Sequence, residues 1–246
     1  MKIIKKILIL VLFFFAFFLI SVSTSFSWGF FGHKRINRMA VFALPPEMIG
    51  FYKKHIDFIT EHAVDPDKRR YANKNEAPRH YIDLDHYGNY PFDSIPKYRK
   101  EAVEKFSEDT LNTYGIVPWH IEKMIYQLTE AFKKENVNQI LHFSADLGHY
   151  LADAHVPLHT TENYNGQMTN QKGIHAFWES RIPELKADTY NYLVGNVKYI
   201  EKPNDAIWEI IKASHAAKDS VLLFEADLNS RFPSDQKYSY EHRGKK

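Results

Sequence analysis

Apolar residues recur at three- and four-residue intervals along most of the chain, which is the period of amphipathic helices. The pattern is clearest from Val137 to Ala154, and Pro157 marks its end. No stretch alternates apolar and polar residues in the manner of a strand. The pattern therefore predicts helices over Lys34–Ala43, Glu47–His62, Glu101–Tyr114, Pro118–Lys134, Val137–Ala154, Ile174–Pro183 and Asp205–Leu228.

Two segments interrupt this helical pattern. Residues 64–96 contain many turn-forming residues, among them five prolines and glycines, and read as a long irregular segment. Residues 160–173 read as a polar loop. An irregular segment as long as 64–96 is usually functional or disordered, and the His and Asp residues it contains favour function. The whole pattern predicts an all-α fold with a single multi-helix domain.

The first 27 residues have the pattern of a signal peptide. A basic start is followed by an apolar run from Ile7 to Ile20, which is shorter than the roughly 20 residues that span a membrane. Ser25 and Ser27 are small residues at the positions that signal peptidase requires. We therefore expect residues 1–27 to be removed before Trp28, residues 28–246 to form the domain, and the mature protein to be secreted or periplasmic. An uncleaved membrane anchor is the alternative.

Composition narrows the possible chemistry. The chain has no cysteine, which excludes disulfides, a thiolate zinc site and a cysteine nucleophile. Its formal net charge is only +2, so the overall charge gives no case for a polyanion-binding protein. Stability must come from core packing and, if ligands are present, from bound metal.

Histidines and carboxylates are concentrated between His149 and Glu179. His149 and Asp153 are four residues apart, as are His175 and Glu179, and His159 lies between the two pairs. Residues at i and i+4 of a helix point in the same direction, so each pair can aim a nitrogen and an oxygen at one point. These are the ligand types that zinc accepts without thiolates. The spacing therefore indicates a multi-metal site with hydrolytic chemistry.

Three further motifs extend this set: the opening sequence Trp28-Gly-Phe-Phe-Gly-His33, the sequence Asp65-Pro-Asp67, and His80-Tyr-Ile-Asp83-Leu-Asp85. Together with the two pairs they resemble the zinc-dependent phospholipase C / S1-P1 nuclease superfamily. The resemblance runs from Trp28 to Glu179. It implies an all-helical phosphodiester hydrolase that holds three zinc ions, whose charge and activated water promote attack on phosphorus.

The resemblance also implies a role for each matching residue. The amino nitrogen and carbonyl oxygen of Trp28, with His33, would hold one zinc ion. A second ion would be held by Asp65, His80 and His149, and Asp153 would bridge these two. The third would be held by His159, His175 and Glu179. Asp65 would be the catalytic residue that orients or deprotonates the attacking water.

Several alternatives stay open from the residues alone. Asp67 could replace Asp65. A register error on the 137–154 helix would make His142 and Asp146 the ligands instead of their neighbours one turn later. Asp83 and Asp85 are expected to hold His80 or its loop. The basic run Lys68-Arg69-Arg70 is usually a solvated surface feature, but its position beside Asp65 makes contact with substrate phosphate an option.

The resemblance implies that the substrate is either a phospholipid or single-stranded nucleic acid. Tyr81 and Tyr87, with Tyr90 and Phe92, could line an acyl-glycerol pocket or stack on bases. Glu179 and the short 159–175 loop resemble the phospholipase branch, and the Trp28–His33 spacing resembles the nuclease branch. We favour phospholipase C-like headgroup cleavage. A zinc-stabilised binding protein without turnover is a further alternative. No protein partner is implied, and a monomer is expected.

Overall fold

The computed structural model describes residues 29–192, 195 and 197–232. The predicted signal peptide and Trp28 lie outside these residues. The described part of the chain is built from helices, 3-10 turns and loops, and contains no strand. The predicted all-α fold is therefore confirmed. Within the same residues, no helix combines the length and apolar character needed to cross a bilayer.

The α-helices, in chain order, are α1 Phe30–Phe42, α2 Pro46–Lys54, α3 Ile56–Glu61, α4 Asp65–Arg69, α5 Pro91–Ser94, α6 Arg99–Phe106, α7 Glu108–Tyr114, α8 Val117–Lys133, α9 Val137–Ala154, α10 Ile174–Ala176, α11 Ile182–Lys186 and α12 Pro203–Arg231. A π-helical turn, Phe177–Arg181, joins α10 to α11. The 3-10 turns are His62–Val64, Ala77–His80, Leu84–Tyr87, Pro157–Thr160 and Ala187–Thr189.

Two of the predicted helices are each divided in the structure. The prediction for 47–62 is wrong at His55, whose backbone (φ −113°, ψ 18°) leaves the helical region and separates α2 from α3. The prediction for 101–114 is wrong at Ser107, which has φ 71°. The Ser107 hydroxyl accepts a hydrogen bond from the Thr110 amide, so the serine begins a new helix as an N-cap.

Long helices α8, α9 and α12 enclose the main core. Ile121 of α8, Tyr150 of α9 and Ile211 of α12 are among its fully buried side chains. Helix α1 crosses α9 on another side, where the Asn37 amide donates to the Ala145 carbonyl oxygen at 3.0 Å. Burial of the apolar faces fixes α9 on both sides, so residues at its C-terminal end have defined positions inside the protein.

The segment predicted to be irregular, 64–96, contains only short elements: α4, α5 and two 3-10 turns. It is nevertheless tied to the rest of the fold, because the Ile82 amide donates to the His159 carbonyl oxygen at 2.9 Å and the Asp83 amide donates to that of Tyr114 at 2.7 Å. The first hydrogen bond holds the segment against the 3-10 turn that follows α9, and the second holds it against the C-terminal end of α7.

Candidate metal centre

The last two turns of α9 supply the central pair of the site. His149 and Asp153 are both fully buried, and His149 Nε2 lies 3.3 Å from Asp153 Oδ2. His149 Nδ1 lies 2.8 Å from the Ala63 carbonyl oxygen. A carbonyl can only accept, so this nitrogen donates and the Nε2 lone pair is directed into the cluster. The i,i+4 spacing therefore produces the geometry expected from the sequence.

The first group of possible ligands consists of His33, Asp67 and His149, and its ligand atoms lie within 4.8 Å of one another. His33 comes from α1, and its ring stacks on that of His149 with centroids 3.8 Å apart. His33 Nε2 also lies 3.5 Å from Asp153 Oδ1. All three residues of the group are buried.

The second group consists of His80, His149 and Asp153. His80 Nδ1 is 2.8 Å from Asp153 Oδ2 and 3.1 Å from His149 Nε2. Asp153 therefore directs one oxygen towards His80 and the other towards His33. This arrangement is compatible with the bridging role that the family resemblance implies for Asp153.

The third group consists of His159, His175 and Glu179. Glu179 Oε2 lies 3.5 Å from His159 Nε2, and Glu179 Oε1 lies 3.3 Å from His175 Nδ1. The two imidazole rings stack with centroids 5.2 Å apart. His159 Nδ1 is 2.8 Å from the His80 carbonyl oxygen, so its Nε2 is the atom left for a ligand. The expected His159, His175 and Glu179 thus meet at one place.

Asp65, in contrast, does not join the clusters. Its carboxylate is partly exposed and lies 2.5 Å from His62 Nδ1 and 3.0 Å from Lys68 Nζ. Asp67 takes the interior position, with Oδ1 at 3.9 Å from both His80 Nδ1 and His149 Nε2. The two residues are separated by little more than half a helical turn, so they face different directions on α4. Of the two, Asp67 is therefore the one that lies with the possible ligands, and its role in place of Asp65 is a proposal.

The other alternative set of ligands is also placed outside the clusters. The Asp146 carboxylate pairs with the Arg69 guanidinium, at 2.7 Å for the shorter contact. His142 is exposed, and its Nδ1 lies 2.9 Å from the Asn138 carbonyl oxygen. The register of α9 that puts His149 and Asp153 at the centre is therefore the one seen. Asp85 accepts a hydrogen bond from the Glu162 amide at 2.7 Å, which fits its expected loop-holding role.

Burial controls the ionisation of these groups in the metal-free protein. It lowers the pKa of His80 to about 4 and that of His33 well below the usual value. Burial also raises the pKa of Asp67 to about 6. For His159, burial alone would lower the pKa, but the carboxylates of Glu179 and Asp153 outweigh it and raise the pKa to about 9. Neutral imidazoles are the form that binds metal.

Several buried polar atoms have no hydrogen-bond partner among the described residues. They include both nitrogens of His33, both carboxylate oxygens of Asp67, and Nδ1 of His175. A buried polar atom left without a partner costs about 1–3 kcal/mol, and the positions all face the three groups. Imidazole and carboxylate are suitable ligands for zinc. Protein contacts leave these buried atoms without partners, whereas bound metal ions would give them partners. The residues present therefore fit metal ions.

A cavity of about 260 Å³ opens beside the second and third groups. Its wall combines a cation, a carboxyl group and aromatic rings, supplied by Arg70, Asp83, Tyr81 and Tyr164, with His80, His159 and His175 at its base. Burial, followed by the nearby charges of Asp85 and Glu162, raises the pKa of Asp83 to about 7. The cavity is small, and its charged and aromatic side chains lie directly beside the possible metal ligands.

The two tyrosines expected to contact substrate have different positions. Tyr81 lines the cavity, as expected. Tyr87 does not: it is buried in the main core, with its ring 5.1 Å from that of Phe106. Tyr87 points inward because it belongs to a 3-10 turn that closes onto the core, so its assignment to substrate is corrected. Tyr164 was missed, because no pattern in the 160–173 loop distinguishes it.

The amino end of the described chain lies at this site. The Gly29 amide donates to the Glu179 carbonyl oxygen at 3.2 Å. A Cβ atom at Gly29 would meet the Ser180 hydroxyl, so only glycine allows this close approach without movement of Ser180. The expected ligand Trp28 precedes Gly29 and lies outside the described residues. Its metal-binding role stays a prediction.

Comparison with known proteins agrees with this geometry. No curated protein matches the chain. A family model described as S1/P1 Nuclease matches residues 28–227, which include every cluster residue and the cavity. Family membership implies a zinc-dependent phosphodiester hydrolase, and the three buried groups are ones that could hold metal ions. On this match over most of its length, the chain belongs to the S1/P1 nuclease family.

Proposed function

We propose that this protein is a secreted three-zinc nuclease that cleaves phosphodiester bonds of single-stranded nucleic acid. The observation that carries the proposal is the cavity beside the clusters, which is lined by Asp83, Tyr81, Arg70 and Tyr164. This choice departs from the phospholipase preference drawn from the sequence, which remains the competing candidate.

The cavity wall suits a nucleobase. Aromatic rings such as those of Tyr81 and Tyr164 stack on bases of any sequence. A carboxyl group such as that of Asp83 can pair with the Watson–Crick edge of a base, where N–H donors are present. That edge is accessible only when the base is unpaired, so this cavity favours a single-stranded substrate. With a pKa near 7, the Asp83 carboxyl can also donate a hydrogen bond.

The same wall is less suited to a phosphocholine headgroup. Aromatic faces attract quaternary ammonium ions, but a carboxyl with a pKa of about 7 is only about half ionised at neutral pH and so adds only part of a negative charge to that attraction. The volume of about 260 Å³ is also below the usual 300–1,000 Å³ of ligand pockets. A single base or a small headgroup is the size that fits.

Each zinc ion would have its own set of protein ligands. His33 and the Trp28 backbone would hold the first zinc ion. Asp67, His80 and His149 would hold the second, and Asp153 would be shared by these two ions. The third would be held by His159, His175 and Glu179. Bound zinc would neutralise phosphate charge and lower the pKa of water towards about 7. Asp67 would accept a hydrogen bond from the attacking water and orient it. Arg70 would bind the non-bridging oxygens of the phosphate.

The experiment compares substrates directly. Mature protein beginning at Trp28 is loaded with zinc and incubated with single-stranded DNA, duplex DNA and phosphatidylcholine vesicles. His149→Ala serves as the inactive control. Nucleotide release from the single strand, absent in the control, supports the proposal. Phosphocholine release would instead make the protein a phospholipase C, and zinc binding without either product would favour a binding protein.

Salt and the amino terminus provide two further tests. Binding of single-stranded DNA should weaken as salt rises, because phosphate neutralisation releases counterions. The protein exported by cells should begin at Trp28 when its mass is measured. A form that keeps one extra residue before Trp28 should bind less zinc, since its terminal amine is displaced. We also propose a monomer, which size-exclusion chromatography with light scattering tests.

A further inference from the structure

A carboxylate outside the ligand groups faces the far side of one ligand. Glu76 is fully buried, four residues before His80, and its Oε1 lies 3.9 Å from His80 Nε2. This nitrogen is buried and makes no hydrogen bond among the described residues. The opposite nitrogen, Nδ1, faces Asp153 and His149. Glu76 therefore lies on the side of the imidazole that faces away from the clusters.

The Glu76 carboxylate is held in place by three neighbours. Arg79 Nη1 lies 2.7 Å from Oε2, and Arg69 Nε lies 3.5 Å from the same oxygen. The Tyr150 hydroxyl donates a hydrogen bond to Oε1. Burial, together with the charge of Glu76, raises the pKa of Tyr150, so its hydroxyl keeps the proton that it donates. With two cations and one hydroxyl around it, Glu76 has a fixed orientation.

The other buried histidines show what such a partner does. His149 and His159 each place Nδ1 at 2.8 Å from a backbone carbonyl oxygen, which fixes the proton on Nδ1 and leaves Nε2 for a ligand. In His80 the two nitrogens have exchanged roles: Nδ1 faces the clusters, and Nε2 faces away from them towards Glu76. The group that can fix its proton on Nε2 is the side chain of Glu76, not the backbone.

We propose that Glu76 is a positioning residue: its carboxylate accepts the Nε2 proton of His80 and so directs the Nδ1 lone pair to the second zinc ion. A shift of less than 1 Å would shorten the 3.9 Å separation to hydrogen-bond length. Tyr150 and Arg79 support this role by fixing Glu76. The inference rests on the proposed zinc-dependent function, and it assigns a role outside the zinc ligands.

The test measures zinc binding rather than activity alone. Zinc affinity is determined by competition with a chelating dye for wild type, Glu76→Gln and Tyr150→Phe. Losing a partner of this kind weakens metal binding by about 10–100-fold, and we expect this loss for one zinc ion in Glu76→Gln. Tyr150→Phe, which removes only the hydroxyl that fixes Glu76, should show a smaller loss of the same ion.

Glu61→Gln is the matched control, because it makes the same change at an exposed carboxylate that pairs with Lys34. It should bind zinc as wild type does. Melting temperatures in chelator separate positioning from plain destabilisation. A purely structural role would lower the melting temperature of the metal-free Glu76→Gln protein and leave zinc affinity unchanged, and that result would overturn the inference.

Nuclear magnetic resonance gives a direct readout of the proton. In zinc-loaded wild type, His80 should carry its proton on Nε2, and this proton should exchange slowly with solvent. The slow exchange should be lost in Glu76→Gln. If the proton is on Nδ1 in wild type, the inference fails although the protein still binds zinc. If wild type binds no zinc, the proposed function fails first, so the two failures are distinguishable.

Discussion

Replacing Asp67 by Asn should stabilise the metal-free protein while it removes activity. In the absence of metal, the Asp67 carboxylate is buried without a hydrogen-bond partner among the described residues, and burial raises its pKa from 3.8 to about 6. At neutral pH the buried Asp67 carboxylate is therefore ionised, and its burial lowers the stability of the folded state. Asn removes the charge with little change in shape.

The size of this effect follows from the pKa. Each unit is worth about 1.4 kcal/mol, so two units correspond to roughly 3 kcal/mol at pH 7. The folded state holds the Asp67 proton more tightly than the unfolded state, so the stability of the wild type falls as pH rises from about 4 to about 6. The advantage of Asp67→Asn should therefore be absent near pH 3 and complete above pH 7.

Thermal unfolding in chelator at a series of pH values is the assay. At this chain length, roughly 3 kcal/mol corresponds to an increase of about 6–12 °C in melting temperature at pH 7. Cleavage by the zinc-loaded variant should fall at least about 100-fold, as for loss of a proton-accepting group.

Asp65→Asn is the matched control, since it makes the same change two residues away in a partly exposed ion pair with Lys68. A surface pair of this kind contributes less than about 1 kcal/mol, so stability and cleavage should stay close to wild type. The opposite result, with Asp65→Asn inactive and Asp67→Asn active, would refute the placement of Asp67 at the centre.

Three further predictions concern the fold, the metal and the cavity. Gly148→Ala should destabilise the protein by about 1–3 kcal/mol in denaturant unfolding, because the added methyl would collide with the Asn37 amide; Gly50→Ala, with open space around it, should stabilise α2 by up to about 1 kcal/mol. Removing zinc with chelator should lower the melting temperature and abolish cleavage but leave the helical circular dichroism signal at 20 °C intact, and loss of that signal would show that folding requires metal. In the metal-free protein, binding of single-stranded DNA should weaken between pH 6 and 8 as Asp83 loses its proton and repels phosphate, and Asp83→Asn should flatten this profile.

The sequence predicted the parts of the site that depend on local spacing. His149 and Asp153 lie one turn apart on α9, so their shared direction could be read from the helical period. His175 and Glu179 also approach each other, although the chain passes from α10 into the π turn between them. The break at His55 and the choice of Asp67 over Asp65 depend on how short helices pack against α1 and α9. Apolar spacing does not determine that packing, so the sequence did not reveal the break at His55 and left the choice between the two aspartates open.

The substrate cavity was the least predictable part for the same reason. Tyr81 is next to a ligand in sequence and could be found from it, whereas Tyr164 reaches the cavity only through the path of the 160–173 loop. That path is fixed at a distance: the Gln171 side chain donates to the Leu222 carbonyl oxygen of α12 at 2.6 Å. Glu76 could have been found from the sequence. It precedes His80 by four residues, which is the same His/carboxylate spacing as that of His149 and Asp153.

The arrangement links folding to function through the end of α9. The chain has no cysteine for disulfides, and it gathers histidines and carboxylates from α1, α4, α9 and the π turn at one buried place. Without metal, that place contains unpaired polar atoms such as those of His33 and Asp67, which cost stability. Metal bound there would remove that cost and cross-link four separate elements. The same ions that support hydrolysis would then also stabilise the fold, so zinc affinity and melting temperature should change together in variants of the ligands.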